Sequence, residues 1–263
     1  MKKSATPLVY LMICAVAALL VAVPAAAEVC EGFGPQTPRN ISSKDGENAR
    51  AFSAAPAYDH MNLCNIHFHK HAEHKGPGFS VFAGEGDHGG WACNDASSLT
   101  EAEKAPAGDV CNGLQPGDTV EVHWVHSSCA ITPGPTLGAC LSDACGNPDL
   151  RVETQVFLLV NDEDALDFAD FAYGGNVVNG LHQAKAIPSG TGEAVQFAGS
   201  TTGPKFTEQT CSPLQVSWSV RPQCAKLDIS SLGKWCEDNV FNEDHGHGVR
   251  QLVTDKRLLS QIH

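Results

Sequence analysis

Paired histidines occur in two segments whose other residues favour β-strands. His67 and His69 lie in the sequence Cys-Asn-Ile-His-Phe-His, and His123 lies in Val-Glu-Val-His-Trp-Val-His. In an extended strand, residues i and i+2 share a face, so the first two imidazoles point the same way and a neighbouring strand could bring the third beside them. Three neutral imidazoles hold a zinc ion and leave one coordination position open, which is typical of catalytic rather than structural zinc. The pattern therefore predicts a zinc site made by these three histidines.

Two further residues of the second segment bear on this site. Glu121 precedes His123 by two residues, so its carboxylate lies on the same strand face and can accept a hydrogen bond from the imidazole. His126 has the opposite parity and is expected to be a hydrogen-bonded core histidine rather than a ligand. Surface histidines without any ligand are the alternative for the whole pattern. Imidazoles that converge inside a fold are costly, however, unless a metal or a partner uses their nitrogens.

Histidines can converge in this way only on paired strands, and the remaining sequence supplies them. Strands are predicted from the apolar patterns over 63–69, 79–82, 119–126, 151–161, 195–197 and 214–221. One short helix is predicted over 163–171, capped by Asn161 or Asp162. Helical periodicity is scarce elsewhere, so the expected fold class is mainly β, a single domain over 28–263 with an antiparallel sheet core.

The N-terminal residues are typical of an exported chain. Lys2 and Lys3 precede an apolar run over 8–23, and small residues follow at 24–27. This order predicts a secretory signal peptide over 1–27 and a secreted or periplasmic mature protein. A retained membrane anchor is disfavoured because the apolar run is short for a bilayer span.

The number of cysteines and the net charge further limit the kinds of site and partner that this protein can have. Removal of Cys14 with the signal peptide leaves ten of the eleven cysteines, and no C-x-x-C motif occurs among them. An even number in an exported chain predicts five disulfides rather than zinc–thiolate sites, with a pairing that the sequence leaves open. The formal net charge of −13 argues against nucleic acid and anionic membrane surfaces as partners of the mature protein, since both require a basic surface. The oligomeric state is left open as well.

Several blocks of this sequence resemble the α-class carbonic anhydrases in matching order. Residues 66–69, 73–74 and 121–126 are similar to that family's F-H-F-H, S-E-H and E-L-H-L-V-H motifs. Residues 197–204 are similar to its Y-x-G-S-L-T-T-P motif, and Trp218 lies where a tryptophan follows it. A chance match to all of these blocks in order is improbable.

The departures from the α-class pattern point to a related class. Lys70 replaces a tryptophan, Phe197 replaces a tyrosine, and the interval between His69 and His123 is longer and rich in cysteine. Residues 62–76 more closely resemble the δ-class carbonic anhydrases, which are known from marine algae and have bacterial relatives. We therefore expect a δ-class carbonic anhydrase with an α-carbonic-anhydrase-like, disulfide-rich fold.

The resemblance implies a zinc enzyme that reversibly hydrates carbon dioxide to bicarbonate and a proton. The three histidines would hold Zn²⁺, and zinc-bound hydroxide would attack carbon dioxide. Thr202 would accept the hydroxide's hydrogen bond and donate its own hydrogen to a carboxylate, for which Glu73 is the candidate. Glu121 would remain the hydrogen-bond partner of the third histidine. Carbon dioxide and bicarbonate are the small-molecule partners that this mechanism implies.

Such a mechanism also needs a group that relays the proton to solvent, and histidine has a suitable pKa. The sequence offers six candidates without deciding among them: His60, His71, His74, His88, His245 and His247.

Two other functions fit part of the pattern. A cupin-type metal enzyme is suggested by His67, His69 and Glu73, which match an H-x-H-x3-E core, but a cupin leaves residues 199–204 unexplained. A non-catalytic exported zinc-binding domain would result if His71 or His74 closed the fourth coordination position. A carbon dioxide hydration assay separates these alternatives.

Overall fold

The computed structural model describes residues 29–86, 89–201, 203, 205–249 and 253–263, so the predicted signal peptide over 1–27 lies outside the described residues. Within these ranges no helix is both long and apolar enough to cross a bilayer. The strands and the α-helix of these residues, numbered in chain order, are β1 (Asn62–Lys70), β2 (Val81–Gly84), β3 (Gly90–Ala92), β4 (Thr119–Ser127), β5 (Leu150–Val160), β6 (Val177–Val178), β7 (Leu181–His182), β8 (Val195–Ser200), β9 (Gln215–Val220), β10 (Ala225–Asp228) and α1 (Ile229–Glu237).

The main sheet has six strands in the order β1-β4-β5-β9-β8, with β10 also paired to β5. The predicted antiparallel core is confirmed for the pairs β1-β4, β4-β5 and β8-β9. Along the edge away from β4, β5 pairs in parallel with β9 through residues 151–154 and with β10 through residues 157–160. A parallel pair needs a long crossover, which residues 161–214 provide.

The middle of the sheet is covered on both faces. β4 is buried along its whole length. Trp124 belongs to an apolar cluster that includes Trp235 of α1, so this face packs against the helix. Val125, one residue further on, belongs to the cluster of the opposite face together with Val152 and Trp218. Because successive side chains alternate between faces, His123 of β4 lies on the face of Val125.

Five disulfides form, which confirms the predicted number. They stabilise the fold by restricting the unfolded chain, typically by about 2–4 kcal/mol each. Such a density of disulfides is typical of oxidising compartments. The pairs are Cys30–Cys211, Cys64–Cys140, Cys93–Cys224, Cys111–Cys236 and Cys129–Cys145.

The predicted helix over 163–171 is wrong. The segment contains a single 3-10 turn, Phe168–Asp170, whose cap is Asp167 rather than Asn161 or Asp162. Just before this turn, the Leu166 amide donates to the Lys226 carbonyl at 3.3 Å, beside β10. Pairing with a distant strand therefore takes the backbone groups that a helix would have used locally.

The helix α1 was not predicted, and it begins with a recognisable cap. Asp228 accepts hydrogen bonds from the amides of Ser230 and Ser231. Two serines and Gly233 weaken the helical pattern, so α1 depends on packing of Trp235 into the core rather than on propensity. The second predicted strand is also displaced, because β2 covers Val81–Gly84 instead of 79–82.

Candidate active site

Strand pairing brings the three predicted zinc-binding histidines to one point. In the antiparallel register of β1 with β4, His67 lies directly opposite His123, and His69 lies on the same face of β1. His67 Nε2 and His123 Nδ1 are 3.2 Å apart. One ring nitrogen of each histidine lies within 4.8 Å of those of the other two, which is close enough for a shared metal ion. The geometry agrees with the expected ligand set, whose role stays a prediction.

The second ring nitrogen of each histidine has its own hydrogen-bond acceptor. These acceptors are Asn65 Oδ1 for His67 Nδ1 at 2.6 Å, the Gly248 carbonyl for His69 Nδ1 at 3.1 Å, and Glu121 Oε1 for His123 Nε2 at 3.0 Å. A histidine that donates from one nitrogen presents the lone pair of the other. The three lone pairs therefore face the common point, and a set of three imidazoles oriented in this way fits zinc.

Burial keeps two of these imidazoles neutral. It lowers the pKa of His67 well below 6.5, and the neighbouring His123 and His69 lower it further. Burial also lowers the pKa of His69, which the nearby Glu73 carboxylate partly offsets. Neutral imidazole is the form that binds a metal, so no proton competes at these two nitrogens near pH 7.

Glu121 lies in a buried hydrogen-bonded chain that connects His123 to His74. Its Oε1 also accepts from His74 Nδ1 at 2.5 Å, and Oε2 accepts from the His74 amide at 3.2 Å. Burial acts to raise the pKa of Glu121, but the charge and hydrogen bonds of the two histidines hold it well below its usual value. The same pairing raises the pKa of His74 despite its burial. The carboxylate is thus ionised and its position is set from two sides.

Glu121, His74 and His123 also lie close enough together to hold a metal ion. In this second group the carboxylate already accepts hydrogen bonds from both imidazoles. Neither Glu121 nor His74 reaches the cavity over the histidines. The three-histidine group, which does line the cavity, therefore stays the predicted metal site.

A cavity of about 240 Å³ lies over the three histidines. Its apolar wall contains Val125 of β4, Val152 of β5, Trp218 of β9 and Leu137 from the loop after β4. Trp218 also packs edge-on against the His123 ring, with centroids 5.2 Å apart. The site thus combines three converging nitrogens with an apolar space for a small ligand.

Glu73 reaches this cavity from a turn rather than from β1. The strand ends before His71, whose φ of 66° breaks the extended conformation. Glu73 is buried, lines the cavity, and has Oε1 3.5 Å from His69 Nε2. Thr202, its expected hydrogen-bond donor, lies outside the described residues, but the adjacent Thr201 lines the same cavity. The roles of Glu73 and Thr202 stay predictions.

A C-terminal segment completes the site along the open edge of β1. The His247 amide donates to the Phe68 carbonyl, and the His247 carbonyl accepts from the Lys70 amide, both at 2.9 Å. His247 lines the cavity, and its Nε2 contacts Glu243 Oε2 at 2.8 Å. Of the six histidines considered for proton relay, His247 is the one that the described part of the chain places on the cavity wall. His88 lies outside the described residues.

Sequence reasoning missed Asn65, Glu243 and Gly248. Asn65 could have been found, because it precedes His67 by two residues and so shares its strand face. Gly248 is 179 positions from His69 and contributes only its carbonyl, for which a sequence carries no signal. Glu243 has no spacing relation to the histidine segments either.

Comparison with known proteins identifies the family. The family model described as delta carbonic anhydrase matches residues 58–231. No curated protein matches the chain. Among solved structures, it is similar to an α-carbonic anhydrase from Thermovibrio ammonificans in complex with the inhibitor sulfanilamide. The two are 15% identical with a TM-score of 0.28, over 84% of this chain and 87% of the other. Because the family match covers more than half of the chain, the chain belongs to the delta carbonic anhydrase family and is a carbonic anhydrase.

Proposed function

We propose that this protein hydrates carbon dioxide reversibly with a zinc ion held by His67, His69 and His123. The observation that supports the proposal is the convergence of three ring nitrogens, each oriented by an acceptor on the opposite nitrogen. When bound, zinc lowers the pKa of a water molecule at its open position and so supplies the nucleophile, carbonic anhydrases being the standard example.

The apolar wall of the cavity suits the substrate. Carbon dioxide is uncharged and needs no hydrogen-bond partner, so Val125, Val152 and Trp218 can hold it beside the metal position. Bicarbonate is an anion and loses hydration against such a wall, which favours its release. The wall therefore discriminates between substrate and product by charge.

Glu73 and Thr202 would orient the nucleophile. By resemblance, the Thr202 hydroxyl accepts the nucleophile's hydrogen bond and donates its own hydrogen to Glu73. The burial of Glu73 at the cavity supports this role, because a carboxylate there directs the donor hydrogen away from the nucleophile. Glu121 would hold His123 and would not contact the substrate.

Family membership decides against the cupin and the non-catalytic zinc-binding domain considered from the sequence. For the latter, His71 or His74 would have to close the coordination sphere. The Nδ1 of His74 instead donates to Glu121, and neither His71 nor His74 lines the cavity.

The test is stopped-flow hydration of carbon dioxide by the mature protein, together with metal analysis. The zinc-loaded wild type should hydrate carbon dioxide well above the uncatalysed rate with one zinc per chain. His123→Ala should lose zinc and activity together, since two imidazoles cannot hold the catalytic geometry. The matched control is His60→Ala, which removes an exposed histidine and should retain both.

Two results would separate the two parts of the proposal. A wild type that binds one zinc per chain but does not accelerate hydration would refute the function. A His123→Ala variant that keeps its zinc would refute the ligand set while leaving the function open to another metal site.

A further inference from the structure

A second and larger cavity, of about 740 Å³, lies on the opposite face of the sheet from the histidines. Its floor carries Arg151 and Glu153 of β5, Ser219 of β9 and Arg221 just after β9. These strand residues alternate with Val152 and Trp218, which line the metal-site cavity. Residues 188–190 and 192–194 and Tyr58 form the rim. We call this space the reverse-face cleft.

One of the two guanidinium groups in the reverse-face cleft has a structural role. Arg151 Nε donates to the Pro56 carbonyl at 2.6 Å, and Nη2 donates to the Ala55 carbonyl at 2.7 Å. Its Nη1 lies 3.8 Å from Glu153 Oε1. Arg151 therefore ties the N-terminal segment to the sheet and has little capacity left for a ligand.

Arg221 is different, because most of its donors have no acceptor among the described residues. Its Nη1 donates to Glu153 Oε2 at 3.2 Å and more weakly to the Thr154 carbonyl at 3.5 Å. Among the described residues, Nε and Nη2 have no acceptor, although the side chain is only 13% exposed. A guanidinium has five N–H groups in a planar fork that matches a carboxylate. These N–H groups face the open cleft and are therefore available to donate to a ligand there.

The charge of the floor limits which ligand fits. Arg151 and Arg221 are matched in charge by Glu153 on the floor and by the exposed Glu193 on the rim, so the cleft as a whole is neutral. A monoanion adds the smallest negative charge with which the Arg221 guanidinium can still form a charge-assisted pair. A doubly charged phosphate would add a negative charge beside Glu153 and Glu193.

We propose that the reverse-face cleft binds a small carboxylate-type monoanion, either bicarbonate or an organic carboxylate, through the free edge of the Arg221 guanidinium. The Tyr58 hydroxyl at the rim is a second donor. Burial and the charges of Asp59 and Glu153 raise the pKa of Tyr58, so this hydroxyl keeps its hydrogen near neutral pH. The site does not depend on the metal centre, and its occupancy is separable from catalysis.

The experiment is a nuclear magnetic resonance titration of ¹⁵N-labelled, zinc-loaded mature protein with sodium bicarbonate, acetate, phosphate and chloride at constant pH. Bicarbonate or acetate should shift the backbone amides at 151–154 and 219–221 along saturable curves, and chloride should not. Saturation by bicarbonate alone identifies the reaction product as the ligand, and saturation by acetate alone identifies an organic carboxylate. Shifts at residues 65–69 and 123 report the metal site instead, so the two sites are read separately.

Two variants decide whether Arg221 is the contact. Arg221→Gln should weaken the binding at least about tenfold, since a charge-assisted fork is lost. Arg257→Gln removes an exposed arginine that pairs with Asp255, and it should bind as the wild type does. If Arg221→Gln fails to fold, Tyr58→Phe serves in its place, and a roughly threefold loss is expected from one missing hydrogen bond. Shifts that do not saturate, preferential binding of phosphate, or equal affinity in the wild type and in the tested cleft variant would overturn the proposal.

Discussion

Replacement of Glu121 by Gln tests the buried hydrogen-bonded chain behind the metal site. The wild-type carboxylate accepts from His123 Nε2 at 3.0 Å and from His74 Nδ1 at 2.5 Å with the same oxygen. Gln has one acceptor oxygen and one amide donor at this position, so it can satisfy only part of this arrangement. We expect Glu121→Gln to weaken both zinc binding and the fold.

The two effects differ in size. Loss of a hydrogen-bond partner behind a metal-binding histidine typically lowers metal affinity about 10- to 100-fold, or about 1.4–2.7 kcal/mol. The Glu121 and His74 side chains are both 0% exposed, and loss of one member of a buried ion pair costs about 3–5 kcal/mol. His74 can lose its proton once the carboxylate is gone, so the lower end, about 3 kcal/mol, is expected.

Zinc affinity is measured by competition with a chromophoric chelator at pH 7.5, and stability by urea unfolding of the metal-free protein. Glu101→Gln is the matched control, because it makes the same change of side chain at an exposed position. The control should match the wild type in both assays. Unchanged zinc affinity together with unchanged stability in Glu121→Gln would refute the role assigned to this carboxylate.

Three further predictions follow from particular residues. Thr202→Ala should keep its zinc and lose on the order of 100-fold in hydration rate, because a displaced nucleophile reacts slowly; full activity with zinc bound would exclude the proposed role. Burial lowers the pKa of His126 to about 3. The pKa of His126 in the unfolded state is 6.5, so between pH 6.5 and pH 3 the unfolded state binds a proton at this residue that the folded state does not. The free energy of unfolding should therefore fall by about 1.4 kcal/mol per pH unit as the pH decreases through this range. Metal-free His126→Phe should therefore show a flatter acid limb in urea unfolding, and an identical slope would contradict the assignment. Reduction of the five disulfides should unfold the mature protein, because their combined contribution is comparable to a typical folding free energy of about 5–15 kcal/mol; native circular dichroism after complete reduction would oppose this.

The position of the histidines could be predicted because strand parity is local. His67 and His69 share a face wherever that segment is extended, and the opposite parity of His126 places it in the core. β4 and β5 were predicted to within about one residue at each end, since apolar runs of this length have few other ways to be buried. The number of disulfides was also available from the cysteine count.

Local patterns were insufficient wherever a distant segment supplied the partner. The segment over 163–171 has helical character, yet its pairing beside β10 prevents a helix. The Gly248 carbonyl and His247 reach β1 only because the chain returns to that edge of the sheet after α1. Disulfide pairing has the same origin, as Cys30 and Cys211 are 181 positions apart.

The sequence by itself determined the long strands β1, β4 and β5, the face on which each histidine of β1 and β4 lies, the family resemblance and an even set of cysteines. These features depend on residue type and on the two-residue repeat of an extended chain. The tertiary structure alone decided which ring nitrogens converge, which acceptors orient them, and that Arg221 lines a cavity on the reverse side of the sheet. Those features depend on register and on contacts between segments far apart in the chain, and residue spacing does not encode either of them.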